Sequence, residues 1–176
     1  MLEPALFFSQ AAISIFTNFN LLLQREEPTV HILKASMEHL GKNLATRIIK
    51  PTVLRGISSI SDIDLTDESI FIEPKSIFLG GTTKATLNRL LSEGDISQHK
   101  YDSFHKGAYL YFKDALQYIQ NKFPIKNEVI HNSVWVDVEK RGKPTWSNIE
   151  LFLLKNSNQT CMEGVNNDKV IEEFVD

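Results

Sequence analysis

The sequence predicts an all-α protein, an irregular helical bundle with one long loop-rich segment at about 52–80. Three observations predict it. Apolar residues recur at steps of three and four over three long stretches, the spacing that gathers side chains on one helix face. Prolines Pro4, Pro28, Pro51 and Pro124 stand at the ends of those stretches, where a missing N–H costs least. The helical segments also sum to about 60% of the chain, nearly twice the usual share.

The first helix opens at Pro4, a residue suited to a first helical turn, and carries Phe8, Ala12, Ile15, Phe19 and Leu22 on one side. A second opens after Pro28-Thr29 and runs Leu33, Met37, Leu40, Leu44 and Ile48 to a stop before Pro51. With only Gln24–Glu27 between them, the two read as an antiparallel pair. From Thr52 to Leu79 no helical stripe is visible, yet Ile57, Ile60, Ile63, Leu65, Ile70, Phe71, Ile72 and Phe78 interrupt the polar residues. This is a loop packed on the core, with one short strand expected near Ser69–Ile72. After Gly80-Gly81, Thr82 or Thr83 is a candidate cap for a helix over Leu87, Leu90 and Leu91 that stops at Gly94. Asp95 or Ser97 starts a long helix to about Lys122, with Phe104, Ala108, Tyr111, Ala115 and Ile119 on one face and Tyr101, Leu116 and Phe123 widening it. Shorter helices follow at Asn127–Val134, at Trp146–Leu154 after Thr145, and at Asp168–Val175. The expected organisation is a helical domain over 1–155, then a flexible loop and the start of a further helix over 156–176.

Composition limits the function classes. The 176 residues carry 42% hydrophobic and 23% charged side chains, an ordinary globular balance for a chain that buries roughly 70% of its unfolded surface. A net charge of −3 supplies no global field toward nucleic acid or acidic membrane. The single cysteine, Cys161, excludes an internal disulfide and any zinc module built on two or four cysteines. The most apolar stretch, Leu6–Leu23, has no basic flank ahead of it and is broken by Ser9, Gln10, Ser14, Thr17, Asn18 and Asn20. It reads as a buried amphipathic helix, not as a signal peptide or membrane span.

No motif assembles a catalytic constellation. Gly80-Gly81-Thr82-Thr83-Lys84 lacks the spacing of a Walker A loop and reads as a turn with a helix cap. His31, His39, His99, His105 and His131 include no pair at the i, i+4 zinc spacing. Asp62, Asp64, Asp67 and Glu68 are dense, but lack the glycine and register of a calcium loop; aspartate is common in such loops because it caps turns. Lys100, Lys106 and Lys113, and the turn Lys140, Arg141 and Lys143, are the two basic groups with aromatic neighbours. Three charges neutralise few phosphates, so a solvated face competes with nucleic-acid contact at each. Lys140, Arg141 and Lys143 are the residues assigned to such contact.

An ordered set of strings spans most of the chain. Phe19-Asn20, Leu22-Leu23-Gln24-Arg25-Glu26-Glu27-Pro28, Val30-His31 and Leu33 come first, then Ile48-Ile49-Lys50-Pro51 and Ile72-Glu73-Pro74. Lys122-Phe123-Pro124-Ile125, Trp135-Val136-Asp137, Arg141, Trp146 with Ile149-Glu150 and Phe152, and Glu172-Glu173-Phe174-Val175-Asp176 follow. Together they resemble the transposase-like proteins of the hAT superfamily, especially domesticated, fragmentary relatives. The resemblance implies a zinc finger of the BED type, an RNase H-like core interrupted by a helical insertion, and a C-terminal dimerisation segment; this chain is similar to the insertion alone. The family's catalytic aspartates are then expected before Met1, and its glutamate after Asp176. Neither Trp135 nor Trp146 matches the family tryptophan of the DNA-end chemistry.

The expected function is therefore a non-catalytic helical fragment of a hAT transposase-like protein, with no cofactor, no metal and no catalytic residue, supporting DNA or protein contact in the nucleus. Its expected partners are DNA through a larger parent protein, another protein or a second copy, with neither a membrane nor a small-molecule substrate. The competing expectation is a free-standing helical protein–protein interaction module. An enzyme built on the Asp62–Glu68 loop is the third.

Overall fold

The structure, a computed structural model, describes residues 1–26, 29–127, 130, 150, 153–154 and 169–170. Helix accounts for 74% of it, about twice the ordinary proportion, so the chain is all-α, as its periodicity indicates. The helices are α1 (Leu2–Leu23), α2 (Val30–Ile48), the single turn α3 (Pro51–Leu54), α4 (Gly81–Ser92) and α5 (Gln98–Lys122). The chain divides into two compact units, Met1–Glu27 with Ala35–Phe123, and Pro28–Lys34 with Pro124–Asp176. In the second, Ile125 and Leu153 are buried, and Asn127 Oδ1 accepts from the Ile130 N–H at 3.4 Å, as a cap would. The sequence boundary at 155/156 and most of the three short C-terminal helices lie outside the described residues.

In the first unit, α1 packs chiefly on α4, not on α2 as the short connection suggests. Its aromatic side chains reach α5 as well. Phe8 meets Phe104, Tyr111 and Phe112 of α5 edge to face, at centroid distances of 6.0, 5.7 and 5.6 Å, and Phe19 stacks on Phe123 at 5.1 Å. Such pairs add about 0.5–1.5 kcal/mol each beyond burial. At the other end Glu3 pairs with Arg89 of α4 at 2.9 Å.

The stripe of α2 is covered instead by the segment between α3 and α4. Met37, Leu40, Leu44 and Ile48 are all buried. Gly41 leaves the space that Ile60 fills, since a Cβ there would collide with the Ile60 side chain. Glu38 accepts from the Ser59 hydroxyl and from the Ile60 N–H, the latter at 2.9 Å. The segment is made of short 3-10 turns at Ile60–Asp62, Glu68–Ile70 and Pro74–Ser76. The strand expected near Ser69–Ile72 shrinks to one antiparallel bridge, Ile49 with Phe71, closed by Lys50 N–H to Ile70 O at 2.9 Å and Ile72 N–H to Ile48 O at 2.8 Å. Prolines and turn-forming aspartates on either side leave no room for a longer ladder.

On its far side the segment rests on α5. Phe71 meets Tyr109 edge to face at 5.9 Å, and the Gln120 amide donates to Ile60 O and Ile63 O at 2.7 and 3.0 Å. The buried face of α5 centres on His105, Ala108, Tyr109, Phe112, Leu116 and Ile119. It is rotated from the expected stripe, leaving Tyr111 at the margin, because the turns and α1 approach α5 from different sides. Ser97 caps α5 by accepting from the Lys100 N–H at 3.3 Å. Neither Thr82 nor Thr83 caps α4: Gly80 holds that position with φ +99°, and Thr83 is buried inside the helix.

Candidate functional site

The residues assigned to nucleic-acid contact, Lys140, Arg141 and Lys143, lie outside the described residues. Of the other basic group, Lys100 and Lys106 are exposed on α5. Lys113 is engaged, 2.8 Å from a Glu68 carboxylate oxygen and 4.5 Å from the centre of the Phe71 ring. Three lysines on one helix therefore do not converge on one free patch.

The acidic loop is turn chemistry. Asp62 accepts from the Ser59 N–H at 3.3 Å. Asp64 accepts from the N–H and hydroxyl of Thr66 at 2.9 and 2.6 Å, and Asp67 from the Ser69 N–H at 2.8 Å. These hydrogen bonds hold the carboxyls of Asp64 and Asp67 below the ordinary aspartate range. Among the described residues no three His, Cys, Asp or Glu side chains gather as metal ligands would.

His39 and His99 are exposed, whereas His105 is buried. Its Nδ1 lies 3.3 Å from Pro74 O, its ring tilts over Tyr101 at 4.8 Å, and its Nε2 has no hydrogen-bond partner. Burial pushes its pKa down, against the opposing pull of the Pro74 carbonyl and Asp102. With Asp102 committed to Lys75 at 3.0 Å, no nucleophile and base stand together here.

What remains is a surface. The inner side of α1, from Pro4 and Phe8 through Ala12 to Leu22, faces the rest of the unit, with Ala12 and Leu22 buried. Five other apolar residues of α1 do not. Leu2, Leu6, Ile13, Leu21 and Leu23 stand 76, 60, 61, 56 and 56% exposed. The helix is long and apolar enough to cross a membrane by length and composition, and only 17% of its most apolar window is buried. This corrects the expectation of a buried amphipathic helix: α1 has a covered face and an open apolar one. Exposed Tyr111 and Tyr118 of α5, one heptad apart, add to the open apolar surface, with Tyr111 beside Phe8. Leucines scattered singly need no explanation; five open leucine and isoleucine side chains on one helix, set among Ser9, Gln10, Thr17 and Asn20, make an apolar-rich surface suited to contact. The sequence signal for it was present in the second apolar set of Leu6–Leu23, outside the inner stripe.

No protein-family model matches the chain, and neither a curated protein nor a solved structure matches it.

Proposed function

We propose that this chain is a non-catalytic helical docking module whose working surface is the outer face of α1. The observation that carries the reading is the exposure of Leu2, Leu6, Ile13, Leu21 and Leu23 on one helix that Phe8, Phe19 and Glu3 tether to the rest of the unit. Anchoring removes much of the ordering cost of binding, because the surface is already held in its helical shape. The resemblance of the sequence to hAT transposase-like proteins, with which an all-α architecture is compatible, is the reason for reading the module as the helical insertion of such a nuclear protein, where the docked macromolecule is a protein that accompanies DNA handling. A protein partner is favoured over DNA because these side chains are uncharged, and phosphate backbones are held chiefly by cations.

The test compares two sets of variants in the full chain. Ile13→Asp is expected to abolish partner retention while the far-ultraviolet circular dichroism stays helical, and Lys140, Arg141 and Lys143→Ala to leave retention unchanged. The opposite pattern, with duplex-DNA binding lost only in the basic triple variant, would overturn the docking surface. Metal-dependent DNA strand transfer by the purified chain would overturn the non-catalytic reading.

A further inference from the structure

Among the described residues, two polar contacts tie the turn Pro74–Ser76 to α5. His105 Nδ1 lies 3.3 Å from Pro74 O, and Lys75 pairs with Asp102 at 3.0 Å. The second Asp102 oxygen accepts from the Gln98 amide at 2.9 Å. Asp102 and His105 stand three residues apart on α5, the spacing at which helical side chains are neighbours.

This setting suits only the neutral imidazole. A carbonyl can only accept, so Nδ1 carries the proton toward Pro74 O. Nε2 is buried without a partner. Protonation makes it a second donor with no acceptor and places a positive charge on a buried ring. Three charged groups act on that ring: Asp102 of its own helix attracts the cation, while Lys84 of α4 and Lys75 of the turn repel it. A buried cation with an unanswered N–H is costly, and the nearest relief is water and the Asp102 carboxylate. That carboxylate stays ionised in mild acid, because the hydrogen bonds from Lys75 and Gln98 hold it below the ordinary aspartate range. Lys75 is largely exposed, so it returns to solvent at little cost.

We propose that the turn Pro74–Ser76 is a proton-operated latch: when His105 takes up a proton from solvent, the imidazolium swings from Pro74 O to Asp102, displaces Lys75, and the turn loses both ties to α5. The device is independent of the outer face of α1. It is also local. Glu38 holds Ile60 to α2 at 2.9 Å, through residues that take no part in the exchange.

The experiment follows the full chain by NMR from about pH 8 to about pH 4.5, through and below the ordinary histidine range. It reads the His105 ring protons and amide exchange, the latter corrected for the intrinsic rate. Ser76 and Ile77, whose N–H groups bond to Glu73 O and Pro74 O, are expected to lose protection on the same curve as His105 titrates, while amides of α2 keep theirs. Lys75→Gln should move that midpoint upward, since it removes both a rival for Asp102 and a positive charge beside the ring. His105→Phe should leave the protection of Ser76 and Ile77 flat across the interval. A loss shared equally by α2, α4 and the turn would overturn the latch in favour of global unfolding. So would a turn that stays protected while His105 titrates, a ring that never titrates in the interval, or a transition that survives in His105→Phe. If His105→Phe does not fold, Lys75→Gln decides: a midpoint that stays in place or falls overturns the exchange.

Discussion

His105 shows how one residue couples burial to pH. The imidazole sits among Tyr101, Pro74 and the Lys75–Asp102 pair, with Lys84 also facing it, and its pKa lies below the ordinary 6.5. A histidine that resists protonation in the folded state takes up its proton more readily when unfolded. The unfolded state therefore binds more protons over the interval between the two values, and stability falls as pH drops below about 6.5 toward the folded value. Above that range the effect vanishes. Urea midpoints taken across this interval should decline in the wild-type chain and decline less in His105→Phe, whose ring keeps the apolar packing but cannot titrate. Gly41, by contrast, contributes through the absence of a side chain, which lets Ile60 close against α2. Neither role is written in the residue type. A lone histidine on a helix and a glycine inside a helical stripe have many environments, and only the neighbours select one.

At the scale of elements, helix starts and stops follow local chemistry closely. The Ser97 cap, the end of α2 before Pro51 and the end of α5 at Phe123-Pro124 were legible, because each depends on residues within a turn of the boundary. The start of α4 was not. Thr82 and Thr83 are better capping residues than glycine by type, but the chain enters α4 through a backbone turn at φ +99° that side-chain-bearing residues rarely adopt. A Cβ at Gly80 would also stand 3.1 Å from that of Ala11 in α1. Gly80→Ala is therefore expected to cost about 1–3 kcal/mol from a backbone at φ +99°, ψ 144° that is nearly confined to glycine, read as a lowered midpoint in thermal or urea unfolding. Gly81→Ala should be far milder, since nothing lies within 4 Å of the added methyl. For α1 the inner stripe was legible, while its partners, α4 and the aromatics of α5, depend on rings distant in sequence.

The first unit is held together by its irregular segment. Between α3 and α4 the chain passes from α2 to α5, and its polar groups are answered by side chains of both helices: Glu38 from one, Gln120 from the other. Gln120→Ala would remove both amide bonds to Ile60 O and Ile63 O. Ile60 O would keep its bond from the Ile63 N–H at 3.3 Å, while Ile63 O would lose its side-chain donor, and leaving one part-buried carbonyl unanswered costs about 1–3 kcal/mol, so the urea midpoint should fall. Faster amide hydrogen exchange should appear across residues 60–72 before α1 or α4 responds. The all-α class, the helix periods and most boundaries were determined by the sequence alone, because they follow from side-chain spacing and from proline, serine and glycine acting within a few residues. The same holds for the absence of a zinc module built on paired cysteines. The tertiary structure alone decided that α1 leans on α4 instead of α2, that the acidic loop is spent on its own turns, and that one apolar face of α1 stays open. Each of these depends on which distant surfaces reach a side chain first, and a helical stripe specifies that a face is apolar without specifying what covers it.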